Sequence, residues 1–320
     1  DIATAPFAEG PGWGVHRPAL SKALHQCAEE TPGLTIQSGT TITRIERETS
    51  RIVVRTSKND IINSRLLIGA DGLNSKIRQW SGLSGPQQKL KRWGARQHFH
   101  TNPWSDYVEV HWGGGIEAYV TPCGQNLVEI AFLWDRYRNV AGGNALMSSL
   151  FEAFPMLQAR VDGCKSNDDV KAVGPLSWTA LSPVSDGILL IGDAAGYLDA
   201  ITGEGISLAT AQALSLGHTV GPLLRNHRDA MPTSRNLQTY RKTYHKIVRP
   251  YYMLTRLVLF LSRNPNLAER VIRTLRKRPD VFQTLLSINM GNIPSLPRLS
   301  ATAMRLIAGI FSGNVIPDQR

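Results

Sequence analysis

The chain has 320 residues, 42% hydrophobic and 19% charged, enough for one large or two ordinary domains and too apolar for wholesale disorder. Its formal net charge of +11 belongs to the last third, where 17 Lys and Arg stand against 4 Asp and Glu from Gly221 onward; such a patch suits an anionic surface, or a basic solvated helical face. Three cysteines without a CxxC pair argue against a disulfide framework and a structural zinc site, and make a reducing compartment the default.

The chain opens on Asp1, and its first stretch lacks the apolar run of a signal peptide. A truncated or processed start is expected. Residues 18–31 predict a helix, with Pro18 in its first turn, an apolar stripe through Leu20, Leu24 and Cys27, and Gly33 as its stop. Short strands follow at 34–37, 41–48 and 51–56, the last two as a hairpin. Arg65–Ala70 is a continuous apolar run, expected as a strand buried on both faces. Residues 92–134 break into four β-rich segments, an antiparallel sheet forming its own layer. A helix is expected over 144–161, a second buried strand over 187–192, and a small-residue helix from about 203 to 225. Beyond Pro232 the pattern is helical, at 240–262, 266–276 and 279–289. No apolar run reaches the length needed to span a bilayer.

Two motifs carry the chemistry. In LLIGADGLNSKIR a strand ends at Gly69-Ala70-Asp71-Gly72, where glycine lets backbone approach a ligand and the acid either accepts from hydroxyls or holds the loop. In GILLIGDAAGYLDAITGEGISL a second strand ends at Gly192-Asp193-Ala194, and Gly196 leads on to Gly203-Glu204-Gly205 at a helix start. The free N–H groups and positive dipole end of that helix suit a pyrophosphate or an electron-rich ring, and Asp193 suits a sugar hydroxyl. The plain alternative is a strand-to-turn junction and a tightly packed helix with no ligand. Two such motifs in this order, on either side of a β-rich insert, are far more specific than either alone.

The pair resembles the FAD-binding motifs of the aromatic-hydroxylase-type flavoprotein superfamily, closest to its geranylgeranyl-reductase-like branch. The tryptophan motif of the neighbouring halogenases is not visible. The resemblance implies that Asp71 and Gly72 contribute to FAD binding, that Asp193 holds the ribityl or ribose part, that the backbone of Gly203, Glu204 and Gly205 meets the flavin ring, and that Arg17 lies near the phosphates. It implies an α/β fold: a three-layer Rossmann-like FAD-binding domain (1–84 and 184–228), an inserted antiparallel substrate domain (85–183) and a basic C-terminal helical region (229–320). Two departures stand out. Ala200 replaces the usual Pro after Asp199, and the GxGxxG turn for the ADP half is absent, since Gly10-Pro11-Gly12-Trp13-Gly14 has the wrong spacing and no preceding strand.

The expected activity is an FAD-dependent oxidoreduction of an apolar substrate, with NAD(P)H as donor. Reduction of isoprenoid double bonds, monooxygenation and a non-catalytic binding module on a degenerate flavin fold are the competing forms. Tyr119 and Cys123, ending a strand of the substrate sheet, are the catalytic candidates; a small buried cysteine is the bland alternative. His98 and His100 share a strand face, but no carboxylate or cysteine completes a metal set, and none is expected. Trp93, Trp104, Trp112 and Trp134 suit a pocket wall or the core. Basic and apolar residues interleave at helical spacing from Arg249 onward, as on helices that lie on an anionic membrane. A cytoplasmic protein with peripheral membrane contact, and no nucleic acid partner, is the expectation.

Overall fold

The computed structural model describes residues 1–86, 91–135, 140–166, 168–226, 230–291 and 296–312. Helix α1 (Arg17–Glu29) is followed by strands β1 (Ile42–Arg47), β2 (Ile52–Thr56) and β3 (Ile61–Ser64), which pair antiparallel in the order β1-β2-β3. Residues 34–37 form no strand, and β3 joins the hairpin as a third strand that the alternation pattern missed. Strand β4 (Leu67–Gly69) and the short helix α2 (Lys76–Trp80) complete the first motif.

The insert forms β5 (Arg92–Phe99), β6 (Glu109–Gly113), β7 (Ile116–Pro122) and β8 (Val128–Asp135), then α3 (Leu146–Phe151), α4 (Pro155–Val161) and β9 (Lys171–Val173). The single helix expected over 144–161 is two, because Pro155 has no N–H to continue α3 and instead starts α4. The sheet order is β6-β7-β8-β5-β9, all antiparallel. Strict alternation on β8 sends Val128, Ile130, Phe132 and Trp134 to one face, where α3 and α4 bury them with Phe151 and Phe154. Trp93 and Trp104 pack at the edge of this core. The other face carries Arg92, Arg96 and His98 of β5, Glu129, Leu133 and Asp135 of β8, and Glu117 and Tyr119 of β7.

The chain returns through β10 (Trp178–Thr179), β11 (Val184–Ser185), β12 (Ile188–Leu190) and β13 (Gly196–Tyr197) to α5 (Gly205–Asn226). Strand β12 pairs parallel with β4 in the register Ile188↔Leu67, Leu189↔Ile68 and Leu190↔Gly69. Strand β4 has no second strand partner among the described residues, and Ile68 is 40% exposed; the expectation that this run is buried on both faces is corrected. Helices α6 (Gln238–Ser262), α7 (Pro265–Lys277), α8 (Pro279–Asn289) and α9 (Leu296–Ser312) close the chain, α9 beyond the helices expected. Val220 of α5 and Tyr240, Tyr244 and Val248 of α6 pack on β12 and on Ile52 and Val54 of β2. No helix among the described residues is long and apolar enough to cross a membrane.

Candidate functional site

The parallel pairing of β4 with β12 brings the two acid-glycine turns side by side at the carboxyl ends of adjacent strands, where ligands bind in open α/β sheets. The two aspartates nevertheless do different work. Asp71 Oδ1 accepts from the Ser75 hydroxyl at 2.5 Å, and Oδ2 accepts from the N–H groups of Lys76 and Ile77 at 2.7 and 3.1 Å. Ser75 Oγ in turn accepts from the Arg78 N–H at 2.9 Å. Asp71 therefore caps α2, and little of its acceptor capacity is left for a ligand. Gly72 makes the turn possible at φ +75°, a left-handed conformation that a side chain would strain.

Asp193 is free where Asp71 is engaged. No hydrogen bond reaches its carboxylate among the described residues, and Oδ1 lies 3.9 Å from where a Cβ on Gly205 would stand, at the start of α5. Burial pushes the Asp193 carboxyl above the usual range, and the charge of Arg17 pulls it part of the way back. Leu208 N–H closes on the Glu204 carbonyl at 3.0 Å, so the N–H groups of Gly205, Ile206 and Ser207 have no intrahelical acceptor. The Glu204 carboxyl is also raised by burial, against a hydrogen bond from the Ser207 hydroxyl at 2.8 Å. Gly203 turns at φ +74° with open space around it. Asp193, Glu204 and Gly205 thus form one acceptor-and-donor surface, and the exposed Arg17 acts on the Asp193 carboxylate through its charge.

The remaining motif residues hold that surface in place. Gly69 ends β4 beside Leu190, and the Gly192 N–H donates to the buried Gln212 Oε1 at 2.8 Å. A Cβ on Gly196 would stand 2.8 Å from the Tyr252 hydroxyl and 3.2 Å from that of Tyr244, so only glycine admits both. Arg78 welds the two motifs. It is fully buried, donates through Nη2 to the Leu73 carbonyl at 2.8 Å and through Nη1 to the carbonyls of Ala194 and Asp193 at 3.0 and 3.3 Å, and lies 5.4 Å over the Trp178 ring. Burial lowers its pKa, opposed by Asp71. Arg78 is the last residue of LLIGADGLNSKIR, and the motif by itself gives it no role. A basic residue three positions after the capping Ser75 was the available signal.

Tyr119 and Cys123 are not together with Asp193 in one hydrogen-bonded group. The Tyr119 hydroxyl donates to the Ile201 carbonyl at 2.7 Å, and burial pushes it well above its ordinary range, so it anchors the 199–205 loop to the sheet. Cys123 lies past the end of β7, with its thiol 3.4 Å from the Thr121 carbonyl. Burial, and then the charge of Glu129, raise it and keep it protonated. Backbone of Gly14 covers this corner, so close to the Pro122 carbonyl that any Cβ there would overlap it.

Two charged clusters escaped sequence reading. Arg92, buried, ion-pairs Glu117 and approaches Asp135 at 3.4 Å and Asp199 at 3.6 Å. Burial alone would lower Arg92; Asp199, Glu117 and Asp135 together outweigh it and hold the pKa up. At the other end of the face, His98 lies between Asp168 (Nδ1, 3.0 Å) and Glu129 (Nε2, 3.2 Å), with Arg96 on both carboxylates and the His16 ring edge-on at 5.5 Å. The missing carboxylates of the histidine set do exist, brought in from β8 and from the loop before β9. The Arg96 guanidinium fills the place between them, and no metal-holding group is found among the described residues. His100 is exposed. Two open clefts, of about 250 and 300 Å³, lie beside Ile45 and Trp80 and beside Ile42 and Leu67, and Asp193 lines neither.

A parallel strand pair ending in two acid-glycine turns, a helix start facing the second, and an antiparallel sheet tied above it define an α/β cofactor-binding protein. The chain belongs to the FAD binding domain family, whose profile matches residues 13–253. It is 25% identical over 228 residues to a digeranylgeranylglycerophospholipid reductase of Methanocaldococcus jannaschii, covering 67% of this chain and 56% of that protein. It is 24% identical over 211 residues to the 3-demethoxyubiquinol 3-hydroxylase of Escherichia coli, covering 62% of this chain and 51% of that one. The chain thus spans little more than half the length of these curated relatives. Among solved structures, a flavoprotein/dehydrogenase from Cytophaga hutchinsonii superposes with a TM-score of 0.75 at 17% identity, over 90% of this chain and 72% of that one, a likeness of fold.

Proposed function

We propose that the protein is an FAD-dependent oxidoreductase that reduces double bonds of an apolar, isoprenoid-like substrate, with NAD(P)H as electron donor. The observation that carries this reading is the unengaged, desolvated Asp193 carboxylate beside the open turn Gly203–Gly205 and the free N–H groups of α5. An acceptor and a row of donors left without protein partners fit the ribityl hydroxyls and the ring edge of a flavin. Arg17 would meet phosphate oxygens, Asp193 a ribityl or ribose hydroxyl, and the backbone of Gly203, Glu204 and Gly205 the ring. Asp71 and Gly72 would meet the cofactor through the backbone of the neighbouring strand end, which the Asp71 carboxylate and Arg78 hold in place. The glycine-rich turn expected for the ADP half is not among these 320 residues.

Bound flavin supplies the hydride chemistry. This chain's residues would position it, and the Cys123 thiol, held protonated by burial and the Glu129 charge, is the candidate proton source for the reduced carbon chain. The similarity to a digeranylgeranylglycerophospholipid reductase supports reduction. The second reading, hydroxylation, is supported by the similarity to the 3-demethoxyubiquinol 3-hydroxylase. The mass of the product formed by the flavin-loaded protein with NAD(P)H and a polyisoprenoid lipid decides between them: two hydrogens gained supports reduction, one oxygen gained replaces it with the second reading. A purified protein without flavin absorbance, even after incubation with FAD, removes both and leaves the non-catalytic module.

A further inference from the structure

Helix α6 has two working faces. The buried one carries Tyr240, Tyr244, Tyr251 and Thr255 onto the second motif. The Tyr240 hydroxyl donates to the Leu190 carbonyl at 3.3 Å, Tyr244 to that of Ala195 at 3.3 Å, and Tyr251 to that of Asp199 at 2.9 Å, while Thr255 and Thr202 share a hydrogen bond at 3.3 Å. Asn289, at the end of α8, adds a hydrogen bond to the Thr202 carbonyl at 3.2 Å. The loop that runs into Gly203–Gly205 is therefore held from behind by this helix.

The opposite face is a single exposed stripe: Lys242, Lys246, Arg249, Met253, Arg256, Leu257 and Phe260. At 100° per residue these positions fall within about 100° of one another, over about 27 Å of helix. Its first half is cationic, and its second half exposes Met253 (63%), Leu257 (44%) and Phe260 (55%). Lys242, Lys246 and Arg249 form no ion pair among the described residues. Four other basic residues of the tail are paired: Arg263 with Asp135, Arg273 and Arg276 with Asp1, and Arg305 with Asp280.

We propose that the exposed face of α6 seats the protein on an anionic phospholipid bilayer, with Met253, Leu257 and Phe260 at the acyl boundary and Lys242, Lys246 and Arg249 on headgroup phosphates. Cations and apolar side chains on one exposed face, with Arg256 between Met253 and Leu257, suit the headgroup and acyl layers of a bilayer surface together. A nucleic acid would satisfy the cations and leave the Met, Leu and Phe side chains against a polar groove. Because the other face of the same helix holds the 195–202 loop, seating places the candidate site next to the pool in which an apolar substrate dissolves. Only that last consequence rests on the proposed reductase activity; the seating itself stands on α6.

The test is flotation of the full chain with vesicles of phosphatidylglycerol and phosphatidylcholine, against vesicles of phosphatidylcholine alone. Binding to the anionic vesicles that falls with added salt is expected. The double variant Lys246→Gln/Arg249→Gln should weaken it roughly thirtyfold, two cations at about 1 kcal/mol each. Phe260→Ser should weaken it separately, with the melting temperature of every variant unchanged. Failure to float with anionic vesicles, equal flotation of wild type and both variants, or tighter binding to duplex DNA than to vesicles at matched salt overturns the proposal. Turnover of detergent-dispersed substrate reads the oxidoreductase activity separately, so loss of one does not imply loss of the other.

Discussion

Asp71 and Asp193 follow similar strands, yet one is a cap and the other an open acceptor. The difference has a local origin. Ser75 and the helix behind it supply donors to Asp71, whereas Asp193 is followed by Ala194-Ala195-Gly196, which carry no polar side chain. Asp71→Ala should cost about 1 kcal/mol of stability, the value of an N-terminal cap, read by urea unfolding. Asp193→Asn should abolish flavin binding, read by absorbance after incubation with FAD, and leave neutral-pH stability equal or higher. The sign follows from its raised carboxyl. The folded protein holds the proton more tightly than the unfolded chain, whose carboxyl titrates near ~3.9. This contribution is fully present below that value and is lost as pH rises through the folded one. The variant should flatten that part of the stability profile.

Helix α6 was legible as a helix, and its interleaved basic and apolar residues were legible as a pattern. The six buried positions Tyr240, Tyr244, Val248, Tyr251, Thr255 and Leu259 recur at helical spacing, so the inner stripe was open to reading too. Their hydroxyls' acceptors were not, because Leu190, Ala195 and Asp199 lie some fifty residues away. Burial raises Tyr251 to about 12, so it serves as a neutral donor. Tyr251→Phe leaves the Asp199 carbonyl without this donor and should cost about 1–2 kcal/mol in chemical denaturation. Strand β4 shows the limit of element-level reading. An apolar run reports burial only if something covers it, and Ile68 is left 40% exposed.

Arg92 is the joint of the molecule. It lies on β5, its partners Glu117 and Asp135 on β7 and β8, and Asp199 on the loop leading to Gly203–Gly205, while Arg263 at the end of α6 clamps Asp135. Substrate sheet, cofactor loop and helical region thus meet at one buried cation. Arg92→Met leaves Asp199 and Glu117 without their counter-charge and should cost about 3–5 kcal/mol, read by guanidinium unfolding. Burial already raises both carboxyls, and Arg92 lowers them. Removing it raises the folded values further. The variant's deficit should therefore shrink as pH falls toward the carboxylate range and grow as pH rises, the reverse of ordinary acid unfolding.

Local chemistry settled a good deal of this protein. Four β-rich segments over 92–134 are enough to write an antiparallel layer, and the acid-glycine turns with the small-residue helix start are enough to mark strand ends that suit a pyrophosphate or an electron-rich ring, which the family resemblance turns into FAD, because backbone conformation and side-chain periodicity are properties of short windows. Which aspartate stays open, that Arg78 welds one motif to the other, that Tyr119 anchors a loop, and that Arg92 and His98 gather carboxylates from separate strands all depend on contacts between residues far apart in the chain. Such contacts follow from the register of β4 on β12 and of β5 on β8, and a single window of sequence holds only one side of each pair.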